Sequence, residues 1–316
     1  MVTSKARNSC IRAKASHRRE YERRVNRVMD YVQAHLDEDL TLDRLADVAA
    51  FSPFHFHRVF SAITGETLSD FIRRIRLERS AIALSMLRET SVLEIALRCG
   101  FSSAATFARA FKSHFGMSAT AWRDGGARQW RDALQGRKPG KADRKLRKAG
   151  PRPDRQAHAM KVSIEELPSY RVAYVRHVGP YGDGGISALW VDFERWIRAH
   201  GLRRPGTLTI GIGHDAPSIS APETLRYDAC LVVDAAFKPD RRVNIADLPG
   251  GTYAVTPFEG KPAALSPAWE RFWMVWLPGS GYQPEERPCL ELRPDFETSA
   301  ATGHVRCQLC LPIAPL

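Results

Sequence analysis

Residues 51–61 read FSPFHFHRVFS and residues 101–112 read FSSAATFARAFK, so one chain contains nearly the same phrase twice. The correspondence extends on both sides of the phrase, at an offset of 50 residues before its middle and 51 after it. One residue is therefore inserted within the second copy. The shared positions are apolar residues at helical spacing, a serine and a closing glycine, which is the pattern of a repeated structural unit.

Each copy has the pattern of two helices joined by a tight turn. The turn crosses residues 50–51 in the first copy and residues 100–101 in the second. A serine after each turn suits the N-cap of the next helix, and a glycine suits the left-handed position at the end of that helix. These residues are Ser52, Gly65, Ser102 and Gly116. The sequence therefore predicts a helix-turn-helix written twice.

The stretch between the copies, residues 67–87, predicts one long helix. It reads TLSDFIRRIRLERSAIALSML, with apolar residues at helical spacing and no proline or glycine. A helix of about 21 residues is about 30 Å long, and successive major-groove faces on one side of B-DNA lie about 34 Å apart. Such a helix could hold two reading helices in adjacent major-groove segments of double-stranded DNA.

Charge divides the chain into two halves. Residues 1–160 carry 31 Lys and Arg against 17 Asp and Glu, whereas residues 161–316 carry 16 against 18. The N-terminal half is therefore expected to face a polyanion, with nucleic acid as the first candidate and an anionic membrane surface as the second. The N-terminus has no apolar signal-peptide core, and no run reaches the roughly 18 apolar residues of a membrane span. We expect a soluble, cytoplasmic protein with no membrane partner.

The second half of the chain repeats an order of strands and helices. The dipeptide Leu-Pro at 167–168 recurs at 248–249, an offset of 81, and Asp215 recurs as Asp295, an offset of 80. Before this half lies a basic stretch of Gly, Pro, Lys and Arg without apolar periodicity, which is typical of a flexible linker. We expect a multidomain chain, built as a basic N-terminal arm (1–17), an all-α domain of two helix-turn-helix units joined by a long helix (18–123), a basic flexible linker (124–159) and an α+β domain of two β-α-β-β repeats with a groove at their pseudo-twofold (160–316).

Residues 18–123 resemble the DNA-binding domain of the AraC/XylS family of transcriptional regulators. The resemblance rests on FSPFHFHRVFSAITGETLSDFIRRIRLERS and IALRCGFSSAATFARAFKSHFGMSATAWR, which match the family's pattern through both units and the long helix. In this family one monomer places two recognition helices in consecutive major grooves. The resemblance therefore implies double-stranded promoter or operator DNA as a partner.

Helical spacing leaves one face of each reading helix turned outward, and the resemblance implies that this face reads bases. In the first helix the matching positions are Phe54, His57 and Arg58. In the second they are Ala104, Ala105, Thr106 and Arg109, with Lys112 as a candidate phosphate contact. Alanine offers only a methyl contact to thymine, so the second unit is expected to read fewer bases.

Two simpler interpretations stay open for these basic residues. Arg58 and Arg109 could be ordinary solvated surface arginines, although the repeat favours contact with DNA. Lys112, Arg73 and Arg74 could contact phosphates or nothing, and each real phosphate contact would add about 0.9 to the slope of log affinity on log salt.

Residues 160–314 resemble the GyrI-like effector-binding domain, through ELPSYRVAYVRHVGPYG, IGIGHDAP, LRYDACLVV, LPGGTYAV and LPGSGYQPEERPCLELRPD. Such domains bind small, often cationic or amphipathic organic molecules in an aromatic-lined cleft with an acidic residue. The resemblance places that residue at Glu291, with Leu290 and Leu292 on the other face of the strand. The candidate walls are Tyr181, Trp190, Tyr253, Phe258, Trp269, Trp273 and Trp276, for each of which core packing is the alternative.

The leading hypothesis is a sequence-specific, ligand-responsive transcriptional regulator. Its effector would alter DNA binding or a contact with RNA polymerase. Two alternatives remain: a GyrI-like hydrolase that uses Glu291 with Tyr253 in acid–base chemistry, and a drug-sequestering protein tethered to DNA. No nucleophile elbow, metal-ligand cluster or phosphate loop occurs in the sequence, so we expect no enzyme activity.

We also expect no cofactor and no metal. The histidines of HFH at 55–57 lie two residues apart, and such positions diverge on a helix. Cys307 and Cys310 lie three apart on a predicted strand and so point to opposite faces. The six scattered cysteines predict reduced thiols rather than a disulfide framework.

Overall fold

The computed structural model describes residues 2–134, 160–182, 184–294 and 303–316, with side chains from residue 18 onward. The described chain divides into two compact units, the first built on the residues up to 131 and the second on most of those that follow. The first unit is helical and the second is rich in sheet. A multidomain chain with a helical N-terminal region is therefore confirmed.

The helices of the first unit are α1 (Val2–Ala34), α2 (Leu42–Ala49), α3 (Pro53–Thr64), α4 (Leu68–Met86), α5 (Val92–Arg98), α6 (Ala104–Phe115), α7 (Ala119–Ala121) and α8 (Ala127–Leu134). The repeated phrase forms the pairs α2–α3 and α5–α6, and α4 lies between them in the chain. The predicted arm, residues 1–17, is not a separate segment, because α1 begins at Val2. Residues 2–34 contain neither glycine nor proline, so nothing interrupts the helix at residue 17.

Both reading helices end as expected, but one of them begins a residue later. Gly65 and Gly116 are left-handed, at φ 78° and 71°. Ser52 is the N-cap residue of α3, although its side chain makes no capping hydrogen bond. The cap of α6 is Ser103 rather than Ser102, and its hydroxyl accepts a hydrogen bond from the backbone N–H of Thr106. The residue inserted in the second copy thus moves the cap by one position.

An aromatic cluster holds the second unit of the repeat together and extends past residue 123. The Trp122 indole N–H donates to the carbonyl of Ala81 at 3.0 Å, which ties this cluster to α4. Trp130 on α8 packs against Phe115 and Trp122, with ring centroids 5.1 and 6.3 Å apart. The predicted linker therefore begins too early at residue 124, because one aromatic anchor orders a basic helix. Residues 135–159 of that linker lie outside the described residues.

The strands of the second unit are β1 (Ser163–Leu167), β2 (Tyr170–Val178), β3 (Thr209–Gly213), β4 (Arg226–Val232), β5 (Asn244–Leu248), β6 (Gly251–Gly260), β7 (Tyr282–Pro284), β8 (Leu290–Arg293) and β9 (Val305–Pro315), and its helices are α9 (Gly185–Ala199) and α10 (Leu265–Arg271). The observed repeat is therefore β-β-α-β-β rather than β-α-β-β. Each first strand of the predicted repeat divides in two at a proline, Pro168 or Pro249, which has no N–H to donate to a ladder.

The strands form a sheet in the order β1-β6-β9-β8-β3-β4-β2-β5, and β7 pairs with β9. Each half gives its first strand to the other, so β1 pairs with β6 and β5 lies beside β2. The two halves meet at the antiparallel pair β3–β8, where Gly211 lies opposite Glu291. The pseudo-twofold predicted from the repeat therefore passes beside the predicted acidic residue.

The two faces of this sheet differ in what covers them. Leu290 and Leu292 belong to an apolar cluster on one face, together with Ile210 and Tyr253. Helices α9 and α10 pack on the sheet through β2, β4 and β6. Because side chains alternate along a strand, Glu291 lies on the face opposite to Leu290 and Leu292.

Candidate DNA interface and effector site

The eight side chains predicted to meet DNA are all exposed. On α3, Phe54 has 71% of its surface exposed, whereas Phe56 and Phe60 are fully buried. On α6, Phe107 and Phe111 are buried in the same way. The exposed set is Phe54, His57, Arg58, Ala104, Ala105, Thr106, Arg109 and Lys112. Each helix thus has one face in the core and one face available to a partner.

Two other basic residues are engaged within the domain. Arg74 is largely buried and pairs with Glu66 at 2.6 Å and with Glu78 at 3.2 Å. Arg73 is exposed and pairs with Asp70 at the start of α4. Of the two, only Arg73 is exposed enough to exchange its partner for a phosphate.

In the second unit, Glu291 lies at the centre of a buried hydrogen-bond network. Its side chain sits on β8 and only 4% of its surface is exposed. Oε2 accepts a hydrogen bond from the Tyr227 hydroxyl at 2.7 Å and another from the Arg293 guanidinium at 2.6 Å. Oε1 accepts one from the Trp269 indole N–H at 3.3 Å. Three donors from three elements therefore converge on one carboxylate.

Tyr227 extends this network to the other half of the sheet. Its hydroxyl also accepts from the Trp190 indole N–H at 3.2 Å and from Arg293 at 3.2 Å. The Tyr181 ring meets the Tyr227 ring edge to face at 6.0 Å, and its hydroxyl donates to the carbonyl of Arg226. Burial raises the pKa of the Tyr227 phenol well above its ordinary value, so the hydroxyl keeps its proton.

A glycine makes room for this cluster. A Cβ at Gly211 would lie 2.0 Å from the Tyr227 hydroxyl oxygen and 2.6 Å from Oε2 of Glu291. At the offset of 80 that relates Asp215 to Asp295, Gly211 is the repeat counterpart of Glu291. One half of the repeat therefore supplies the carboxylate and the other half leaves the space for it.

The structure brings together four of the predicted effector residues and separates another. Glu291, Trp190, Trp269 and Tyr181 join one cluster around Tyr227. Tyr253 lies on the opposite face, in the apolar cluster with Leu290 and Leu292, and its hydroxyl donates to the carbonyl of Pro288. Its assignment to the cleft is wrong, because the side chains of β6 alternate between the two faces and that of Tyr253 points to the face opposite Glu291.

The remaining predicted walls are partly buried. Phe258 lies opposite Cys307 in the ladder, Trp273 lies in the helical turn 272–276 that follows α10, and Trp276 packs on Phe272 at 5.2 Å. The thiol of Cys307 is close enough to the cluster that burial, followed by the charge of Glu291, raises its pKa to about 12.

Comparison with known proteins identifies both units. One family model, described as a helix-turn-helix domain, matches residues 45–125, and another, described as a GyrI-like small molecule binding domain, matches residues 160–314. The chain is 33% identical over 158 residues to the SPbeta prophage-derived putative transcriptional regulator YosT of Bacillus subtilis, a match that covers 49% of this chain and 99% of that protein. The chain belongs to the AraC-type transcriptional regulators. It carries a GyrI-like small-molecule-binding domain at its C-terminal side.

Two further relatives of this AraC-type regulator match about a third of it. The probable transcription factor PqrA of Proteus vulgaris is 36% identical over 104 residues, which are 32% of this chain and 84% of that protein. The right origin-binding protein of Escherichia coli K12 is 37% identical over 99 residues, and that match spans only 34% of its length. Among the helices in the described ranges, none is long and apolar enough to cross a membrane.

Buried ion pairs support the GyrI-like domain beside the Glu291 cluster. Asp215 receives both a side-chain and a backbone hydrogen bond from Arg226. Asp228 is held by Arg176 at 2.7 Å and by His214 at 2.6 Å. Burial alone would raise the pKa of each carboxyl, but the adjacent cations outweigh it, and both pKa values lie below the ordinary value of 3.8. Both groups therefore stabilise the fold as carboxylates.

Acid is expected to destabilise the GyrI-like domain. A carboxyl whose pKa is lower in the folded state contributes stability above its unfolded pKa, near 3.8, and loses it as the pH falls toward the folded value. The melting temperature of the domain should therefore fall by several degrees between about pH 5 and pH 3. Asp228→Asn should flatten this dependence, whereas Asp247→Asn, at a carboxylate with 73% of its side chain exposed, should not. A melting temperature that stays constant or rises on acidification would contradict the prediction.

One residue of the cluster, Tyr227, could not be selected from the sequence. Tyr227 has no spacing that marks it as a partner of Glu291, and only the pairing of β3 with both β4 and β8 brings the two together. Arg293 and Gly211 could have been selected from the repeat, because the glycines of IGIGHD align with Glu291 and Arg293 of LELRPD.

Proposed function

We propose that α3 and α6 are the two recognition helices of one DNA-binding domain, carried on two helix-turn-helix units. The observation that carries the proposal is that all eight side chains selected from the sequence lie exposed on capped helices whose opposite faces are buried. The helix α4 has 19 residues and is about 28 Å long at about 1.5 Å per residue. That length suits two contacts in adjacent major-groove segments of promoter or operator DNA.

Selection of bound duplexes from random-sequence DNA tests this proposal on the full chain. We expect a consensus of two blocks separated by about one helical turn, with more positions specified in the block read by α3 than in the block read by α6. A consensus with one block, or a protected region shorter than one turn of DNA, would contradict binding in two successive major-groove segments.

Arg58→Ala should weaken specific DNA binding by about 1–3 kcal/mol and relax the preference at one base position. The reason is that a guanidinium at an exposed position of α3 can make a bidentate contact to guanine, which alanine cannot replace. Binding would be measured by fluorescence anisotropy on the consensus and on a set of single-base variants. Arg98→Ala is the matched control, because Arg98 is an exposed arginine of α5 that pairs with Glu94.

An equal loss on every duplex would assign Arg58 to a phosphate instead. In that case the salt dependence of binding should become shallower by about one unit of slope.

We propose that the GyrI-like domain binds its small-molecule effector at the Glu291 cluster. The support is the convergence of Tyr227, Trp269 and Arg293 on a buried carboxylate where the two halves of the sheet meet. The bound effector would then change the affinity for DNA or a contact with RNA polymerase. The test uses compounds that raise the melting temperature of the protein, and it measures the protein's affinity for the consensus duplex with and without each of them. If no such compound changes the affinity for DNA, the domain would be a drug-sequestering one instead.

The hydrolase alternative loses the pair on which it was based. Tyr253 lies across the sheet from Glu291, so the two cannot act on one substrate. Tyr227 takes that place and keeps its proton. We propose that the domain binds its effector unchanged, which mass spectrometry of recovered compounds would test.

A further inference from the structure

The carboxylate of the effector site already has a cation. Arg293 lies two residues from Glu291 on β8, and both side chains are almost fully buried, with 5% and 4% of their surfaces exposed. The guanidinium donates to Oε2 of Glu291 at 2.6 Å, and its carbon lies 4.8 Å from the centre of the Trp190 ring. Arg293 therefore already binds the two groups that would attract a cationic ligand, the carboxylate and the aromatic face.

This internal ion pair changes what a ligand would experience. Glu291 and Arg293 together carry no net charge, so the site offers no excess charge of either sign to attract a charged ligand. A cation placed among these side chains would lie beside the buried guanidinium, where like charges repel in a medium of low dielectric. Burial disfavours the charged form of Arg293, but the attraction and the hydrogen bond of the Glu291 carboxylate outweigh it and raise the pKa of the guanidinium, so deprotonation cannot relieve the repulsion.

The groups left over in the cluster are hydrogen-bond donors. The Nε atom of Arg293 is buried without a hydrogen-bond partner among the described residues. Trp269 makes the longest bond to Glu291, at 3.3 Å, and is only half-buried, as is Tyr181. A ligand bound at this cluster would therefore meet aromatic rings and a buried N–H without a partner, which calls for an acceptor such as a carbonyl oxygen.

We infer that the effector of this protein is an uncharged, planar aromatic molecule with a carbonyl-type acceptor, and that Arg293 excludes cations. The inference rests on the proposed binding of an effector at the Glu291 cluster. Arg293 is thus the residue that determines specificity for ligand charge, whereas Glu291 holds Arg293 in place.

Three probes on one scaffold test the inference on the full chain: 2-acetylnaphthalene, 2-naphthoate and (2-naphthylmethyl)trimethylammonium. They share an aromatic ring system and differ in charge. Binding would be measured by calorimetric titration. We expect the uncharged probe to bind at least about tenfold more tightly than the ammonium probe, because only the latter adds a charge beside Arg293.

Arg293→Gln should reverse this preference, so that the ammonium probe gains about tenfold or more in affinity. Arg306→Gln is the matched control, since it removes one positive charge from an exposed pair with Glu259 on the same sheet. If Arg293→Gln fails to fold, the ranking of the three probes by affinity for the wild-type chain still tests whether the site prefers an uncharged ligand.

Tightest binding of the ammonium or the carboxylate probe to the wild-type chain would overturn the inference and leave effector binding in place. An unchanged order in a folded Arg293→Gln chain would overturn the assignment to Arg293. Binding of none of the probes to either chain would overturn the proposed effector site itself.

Discussion

Glu291→Leu is expected to lower the free energy of unfolding of the GyrI-like domain by about 3–5 kcal/mol, because it leaves a buried guanidinium without its carboxylate. Arg293 has almost no access to water, and its remaining partner, the Tyr227 hydroxyl at 3.2 Å, carries no compensating charge. The loss would be measured by urea unfolding of the full chain, followed by the fluorescence of its tryptophans. The transition of the C-terminal domain should move and that of the N-terminal domain should not.

Two variants distinguish a buried charge from ordinary loss of packing. The double change Glu291→Leu with Arg293→Met removes both charges, and it should recover most of the stability, since an apolar pair of similar volume can replace a buried ion pair. Glu259→Leu breaks the exposed pair with Arg306, whose side chains are 60% and 53% exposed, and should cost at most about 1 kcal/mol. If Glu291→Leu costs no more than Glu259→Leu, the pair contributes no buried charge to this domain.

The N-terminal domain could be predicted closely because its signals are local. A helix is written in one stretch of sequence, so α4 was expected over residues 67–87 and is found at Leu68–Met86. The N-cap of α6 was predicted one residue too early, because a local signal can offer two neighbouring candidates. Ser102 and Ser103 are adjacent and equally suited, and only the geometry of the turn selects Ser103.

Composition was a weaker guide at the edges of this domain. The residues before 18 and after 123 are strongly basic, and this suggested an arm and a linker. In the structure α1 continues to Val2, and Trp130 holds α8 against Phe115. A single tryptophan packed on an aromatic cluster can order a helix whose overall composition is that of a linker.

The effector site could be predicted only in part, because its assembly is nonlocal. Glu291 was assigned to the correct face from the alternation of its own strand. Tyr253 was chosen as an aromatic candidate wall, with core packing as the alternative, and the alternation of side chains along β6 places it in the apolar cluster on the other face. No single stretch of sequence shows that the two halves exchange their first strands. That pairing depends on hydrogen bonds between residues about 90 positions apart, such as Ser163 and Val255.

Gly100→Ala is expected to destabilise the DNA-binding domain by about 2–4 kcal/mol, although the equivalent residue in the first copy is already alanine. Gly100 has a φ of 82°, where a side chain is strained, and its Cβ would lie 2.0 Å from the carbonyl oxygen of Leu36 and 2.7 Å from Nε of Arg76. Arg76 donates from Nε to that same carbonyl at 2.9 Å, so neither atom can move away without breaking the bond.

Ala50 is the counterpart that makes this comparison informative. It is the one non-glycine residue in the described ranges with a positive φ, at 53°. Ala50→Gly would relieve about 1–2 kcal/mol of left-handed strain and cost about 0.5–1 kcal/mol of backbone entropy, so the net change should stay within about 1 kcal/mol. Both variants would be compared by urea unfolding followed through the helical circular dichroism signal. Affinity for the consensus duplex should fall with Gly100→Ala, because the turn aims α6, and should hardly change with Ala50→Gly. Equal effects of the two substitutions would mean that the close approach of Gly100 to Leu36 and Arg76 does not hold the second unit in place.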